Sequence, residues 1–204
     1  ALLVVPGNLD PAATPEQTAI AAAAAASDAF DPPSCVSTTV EWATIVYALD
    51  GCEGSFGLVH AAGTMSVTFR VDAPGHTAFT ATATALTLRG ATVSFDVDAS
   101  VVHDAGNRTI DATTSASGTS QTGRAFERAG TVTARWMDSW GCLFVDSAEL
   151  ATELSGRAWD AEIRALTYCL GECSMPGGST TWTREGTAAS LRLESDAARA
   201  EHGT

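Results

Sequence analysis

The sequence predicts a mainly β fold: an antiparallel β-sandwich, roll or half-open barrel of about ten strands, with one N-terminal α-helix packed on the sheet. Three observations lead there. From Val36 onward apolar and polar residues alternate with period two, the signature of strands with one buried face. Turn signals recur about every ten residues. A single alanine-rich run, Ala21 to Ala26, carries the flanking residues of a helix.

The helix comes first. Thr14 suits the N-cap, Pro15 the first helical position, and Gln17 stands three residues after Thr14 as in a capping box. Glu16 lies in the first turn, where the helix dipole favours an acid. Asp31-Pro32-Pro33 closes the segment, because a proline disfavours helical backbone in the residue before it. Such a helix buries little area by itself and is expected to lie flat on a sheet.

The strands follow. Met65, Val67, Phe69 and Val71 alternate with Ser66, Thr68, Arg70 and Asp72, and Asp72-Ala73-Pro74-Gly75 is a turn signal. Phe79, Ala81, Ala83 and Ala85 alternate with threonines and predict a shallow, small-residue face. Val93, Phe95, Val97, Ala99 and Val101 alternate with Ser94, Asp96, Asp98 and Ser100, and Asp104-Ala-Gly106-Asn107 reads as a hairpin loop. Ser115 to Gly123 is the one low-complexity stretch, expected as a flexible loop or linker. Val132, Ala134 and Trp136 resume the alternation; Trp159, Ala161, Ile163 and Ala165 continue it after a turn at Ser155-Gly156; Leu191 and Leu193 mark a last strand. The domain reading is an N-terminal segment over 1–34, a single β domain over 35–195 with two pseudo-repeats joined near 115–123, and a frayed tail over 196–204.

The five cysteines argue for the pseudo-repeats. Cys35 and Cys52 bracket one strand pair and are followed by a loop and Gly63-Thr64; Cys142 and Cys169 bracket another, followed by a loop and Gly178-Ser179. Two bridges, Cys35–Cys52 and Cys142–Cys169, leave Cys173 as the free thiol. Cys142–Cys173 with Cys169 free is nearly as good, since connectivity is not readable from sequence. Cysteines that bracket strands in this way favour an oxidising, extracytoplasmic compartment. No charged leader precedes Leu2-Leu3-Val4-Val5, so export implies a signal already removed.

Composition excludes several functions. A formal charge of −13 and no lysine among the eleven basic residues argue against nucleic acid and anionic membranes. They also remove lysine-dependent catalysis. No run approaches the roughly 18 apolar residues that a membrane-spanning helix needs.

Catalytic and metal motifs are sparse. Asp96, Asp98, Asp104, Asn107 and Asp111 cluster in sequence as potential Ca²⁺ oxygens, without calcium-loop spacing. Their alternation on a solvated strand face explains them without a metal. Cys169-x-x-x-Cys173 lacks the second ligand pair of a zinc site. His60, His76, His103 and His202 stand apart in sequence, and no nucleophile-elbow or phosphate-loop motif occurs. No catalytic residue, metal or cofactor is assigned. Trp42, Trp136, Trp140, Trp159 and Trp182 are expected to pack or cap the core rather than line a carbohydrate surface.

The order of an alanine-rich helix, Asp31-Pro32-Pro33-Ser34-Cys35, a hairpin to Gly51-Cys52-x-Gly54-x-Phe56-Gly57, a Thr-rich meander and a closing Cys169-x-Gly-x-Cys173 resembles a loose group of exported lipoproteins of unknown function from GC-rich Gram-negative bacteria. The resemblance spans nearly the whole chain, rests on structural motifs and implies no activity. The expectation is a non-catalytic extracytoplasmic protein, in the periplasm, anchored to the outer membrane or secreted, with a binding or surface-structural role. The alternative is a carrier of an apolar ligand, with a half-barrel under a helix lid, where Ala81, Ala83, Ala85, Ala161 and Ala165 leave room. A hydrolase would require His60 or His103 beside a carboxylate in a cleft. The partner expected on these readings is a protein or an apolar small molecule.

Overall fold

A computed structural model describes residues 10, 12–54, 60–73, 75–104, 107–137, 142–169, 178–184 and 187–192. Cys173, Trp140, His202, Leu193 and the tail 196–204 lie outside them.

Helix α1 (Pro15–Ala24) starts as its sequence dictates. The Gln17 amide donates to Thr14 Oγ1 and the Thr14 amide donates to Gln17 Oε1, closing the capping box. A one-turn helix α2 (Ala26–Ala29), strand β1 (Phe30–Asp31) and a 3₁₀ turn (Pro33–Cys35) lead into the sheet. Then come β2 (Val36–Glu41), β3 (Thr44–Gly54), β4 (Ala61–Ala73), β5 (His76–Leu88), β6 (Ala91–Asp104), β7 (Asn107–Thr119), β8 (Ala125–Met137), β9 (Cys142–Leu154), β10 (Arg157–Cys169), β11 (Ser179–Arg184) and β12 (Thr187–Arg192).

From β2 to β12 every strand pairs antiparallel with the next, and the sheet is not closed into a barrel. Short β1 pairs the far end of β3. Ser115–Thr119, expected as a flexible loop, is the end of β7, and the Gly123 amide bonds the Ser120 carbonyl to close a tight turn into β8. Serine and threonine there alternate with small residues, so composition hid a solvated strand.

Register defines two faces. One row crosses the sheet through Val40, Ile45, Val67, Ala81, Val97, Thr114, Gly130, Leu150, Ala161, Trp182 and Ala189. Directly opposed residues share a face, so this inner face is continuous from β2 to β12. Helix α1 lies over β2, β3 and β4, burying Thr18, Ala19 and Ala22 on a core that includes Ile45, Tyr47, Met65 and Val67. Phe69 and Phe79 pack tilted with ring centroids 6.2 Å apart. A second, smaller core of Val132, Ala134, Val145, Ala148, Leu150, Ala161 and Leu166 occupies β8 to β10.

Two alanines depart from the predicted alternation. Ala85 and Ala165 were expected on small inner faces, yet both take positive φ, 55° and 53°, and are exposed. Register slips beside Ala85, from Ala83 to Leu86 in β5, while in β10 Ala165 lies unpaired opposite Asp146, between the Arg164–Ser147 and Leu166–Val145 pairs. A bulge inserts an unpaired residue and resets parity. Ala81, Ala83 and Ala161 do face inward and are buried.

Candidate functional site

The cysteines are placed first. Cys35 and Cys52 form a disulfide with Cα atoms 5.2 Å apart, tying the 3₁₀ turn to β3. Cys142 and Cys169 stand directly opposite each other in the β9–β10 register. Opposed Cα atoms in antiparallel pairs lie about 4.5–5.5 Å apart, inside the range that a disulfide accepts. The two cysteine pairs differ: the first joins a turn to a strand, the second lies across neighbouring strands.

The aspartates are used separately. Asp98 pairs with Arg70 at 2.8 Å, and Asp111 accepts a hydrogen bond from Thr133 Oγ1 at 2.7 Å. Among the described residues no group of three or more His, Cys, Asp or Glu side chains is gathered to hold a metal. His60 approaches Glu53 at 3.4 Å, with both side chains more than half exposed. Neither residue lines either of the two concavities described below.

The tryptophans correct the sequence reading. None of the four described is buried in a core: Trp42 is 79% and Trp182 39% exposed, and Trp136 and Trp159 are half-buried. Alanine and other aliphatic residues, with Phe30, Tyr47, Phe69 and Phe79, fill the cores instead. Trp42, at φ 54°, occupies the tight β2–β3 turn. Trp159 and Trp182 share the inner face near the far end of the sheet.

Their placement follows from register. Trp182 faces Ala161 on one side and Ala189 on the other. The β10–β11 ladder ends at Asp160–Thr183, and Trp159 and Arg184 are the next residues on the two strands, with Arg184 facing Thr187 on β12. Trp159 and Trp182 are thus diagonal neighbours, roughly 7–8 Å apart. Together with Arg184, Thr187 and Ala189 they line an open concavity of about 570 Å³. That volume lies within the range of ligand pockets, and an apolar lining with a few polar groups is their usual chemistry.

Charge is sorted by face. Along β8 to β11 the described carboxylates Glu127, Glu149, Glu153, Asp160 and Glu162 alternate with the inner residues and occupy the outer face. Asp146 sits at the β9 bulge and reaches outer Arg135 through two bonds of 2.7 Å. Those bonds, more than the charge itself, raise the Arg135 pKa above its ordinary value. Arg164 is likewise matched, to Glu162 at 2.7 Å and Glu149 at 3.4 Å. The inner face of the same strands carries Arg128, Arg157 and Arg184 and, among the described side chains, no carboxylate.

A second concavity of about 650 Å³ mixes residues of both faces, including Asp96 and Glu127 beside Arg128 and Phe95. It lacks this sorting and is the weaker candidate. At the helix-covered end, Tyr47 is fully buried and its hydroxyl has no hydrogen-bond partner. Burial pushes its pKa up to about 12.

No known family model matches the sequence, and no curated protein or solved structure shows detectable similarity to it. Among the described residues no helix is long and apolar enough to cross a membrane.

Proposed function

We propose that the chain is a non-catalytic extracytoplasmic binding protein whose ligand seats on the inner face at the β9–β12 end. The observation that carries this reading is the pair of incompletely buried indoles, Trp159 and Trp182, beside Arg184 in one concavity. Large aromatic side chains left partly in water forgo burial that would otherwise stabilise the fold, and they are the residues most used as binding anchors. The Cys35–Cys52 disulfide supports an oxidising compartment, as does the opposed register of Cys142 and Cys169.

A thermal-shift panel of neutral and acidic oligosaccharides, phosphatidylglycerol vesicles and short peptides tests it. A ligand at about 100 times its Kd stabilises by roughly 2.7 kcal/mol, an easily read rise in Tm. A saturable shift lost in Trp182→Ala supports the reading. No shift from any probe, or only shifts that Trp182→Ala retains, contradicts it.

A second reading, the apolar-ligand carrier, is favoured by Tyr47. Its unpartnered hydroxyl lies under a helix that meets the sheet through alanine and one threonine. Saturable uptake of a fluorescent fatty acid, unchanged by Trp182→Ala, favours this reading; no uptake removes it.

A further inference from the structure

We propose that the concavity formed by Trp159, Trp182 and Arg184 binds acidic carbohydrate, the indoles stacking on sugar rings and the guanidinium pairing with a sugar carboxylate. This rests on the reading of the β9–β12 end as a binding face and names its ligand class.

Three features converge on that class. Pyranose rings present flat C–H faces bordered by hydroxyls, so they need a surface that is apolar in its plane and polar at its edge. Trp159 and Trp182 supply the planes, on adjacent strands and the same face. Thr187 supplies a hydroxyl at the rim. The concavity is open and lies on a pleated surface, as suits a ligand that lies across strands rather than one that must be enclosed.

The charge pattern supplies the acid. On a chain of net charge −13, an inner face that keeps Arg184 and, farther along the same row, Arg128, with the described carboxylates of β8 to β11 turned outward, selects for an anion. An arginine fork matches a carboxylate with two parallel hydrogen bonds. Three arginines, Arg128, Arg157 and Arg184, are too few for nucleic acid, where affinity comes from many neutralised phosphates. A lipid surface would engage the indoles through burial of apolar area, with no need of a fork-shaped donor beside them.

Isothermal titration of the full chain with tetragalacturonate, cellotetraose and phosphatidylglycerol vesicles tests the assignment. The variants are Trp182→Ala and Arg184→Gln, each checked for native circular dichroism. The expected result is saturable binding of tetragalacturonate, at least tenfold weaker in Arg184→Gln, undetectable in Trp182→Ala, and weakened by salt because exposed charges are screened. Cellotetraose should bind at least tenfold more weakly than tetragalacturonate. Equal affinity for the two sugars, or no effect of Arg184→Gln, overturns the acidic assignment. Trp182-dependent binding of vesicles with no sugar binding overturns it too, while leaving this end as a binding face. If no probe binds, both readings fall. Should Trp182→Ala misfold, Arg184→Gln decides alone, because Arg184 is exposed.

Discussion

The two ends of the sheet present one continuous face with opposite fates. From β2 to β4 it is sealed by α1, and the rows there end in Ile45, Tyr47, Met65 and Val67, all buried. From β9 to β12 the same rows end in Trp159, Trp182, Arg184 and Ala189, all partly or fully exposed. The period-two pattern is the same at both ends. The difference is that one end pairs apolar residues with a helix, whereas the other pairs indoles with a cation. The inner face is thus a core beneath the helix and across β8 to β10, and is left exposed at the β11–β12 edge.

Matched substitutions sharpen that contrast most. Ala22→Asp places a carboxylate in the helix–sheet contact, where Ala22 is 1% exposed. It should cost roughly 3 kcal/mol or more, as unpaired buried charges do, read as a lower urea midpoint. Ala189→Asp, at the exposed end, should change stability by about 0.5 kcal/mol or less while abolishing tetragalacturonate binding by repulsion.

Next in size is the disulfide. Cys35→Ser with Cys52→Ser opens a link of sequence separation 17 and should lower stability by about 3 kcal/mol in the chain-entropy model. Intact mass with and without reductant should also show a second bridge, Cys142–Cys169, leaving Cys173 as the thiol that reacts with alkylating agents. A thiol count of three would refute that pairing.

Tyr47→Phe has a smaller effect of opposite sign. Removing a buried, unpartnered hydroxyl while keeping the ring should stabilise by about 1 kcal/mol. The pH dependence follows from the raised phenol pKa. The folded state holds the proton more tightly than the unfolded one, whose phenol titrates near 10. The neutral-phenol contribution is thus complete below about pH 10 and lost as pH rises toward about 12. The wild type should lose stability across that window, and Tyr47→Phe should lose less. Smallest of all, Trp182→Ala should move Tm by no more than a few degrees, because Trp182 is 39% exposed.

Much of the fold was legible because local signals agreed with one another. Thr14, Pro15 and Gln17 announced the helix start, and the alternation at Met65–Val71 and Val93–Val101 announced strands that the register bears out. What escaped was non-local or compositional. Ser115–Thr119 looked like a linker because its strand character lies in pairing with Thr92–Asp96 and Ala125–Ala129, not in its residues. Ala85 and Ala165 carry no bulge signal of their own. The disulfide Cys35–Cys52 was readable from bracketing, although Cys35 proved to sit in a turn before its strand.

The site was only half visible. The tryptophans were seen and assigned to packing, because sequence does not say which end of a face is covered. The sorting of charge was present in the alternation of Trp159-Asp160-Ala161-Glu162-Ile163-Arg164, with acids and apolar residues on opposite parities. Following that parity from strand to strand requires register, and the bulge at Asp146 and the unpaired Ala165 break any count made along the chain.

The most direct test of the central claim is amide hydrogen exchange of the full chain with and without saturating tetragalacturonate. The account predicts added protection confined to β9 through β12, centred on Trp159 and Trp182, with α1 and β3 to β5 unchanged. Protection appearing instead at α1 and around Tyr47, or spread evenly over the sheet, would contradict it.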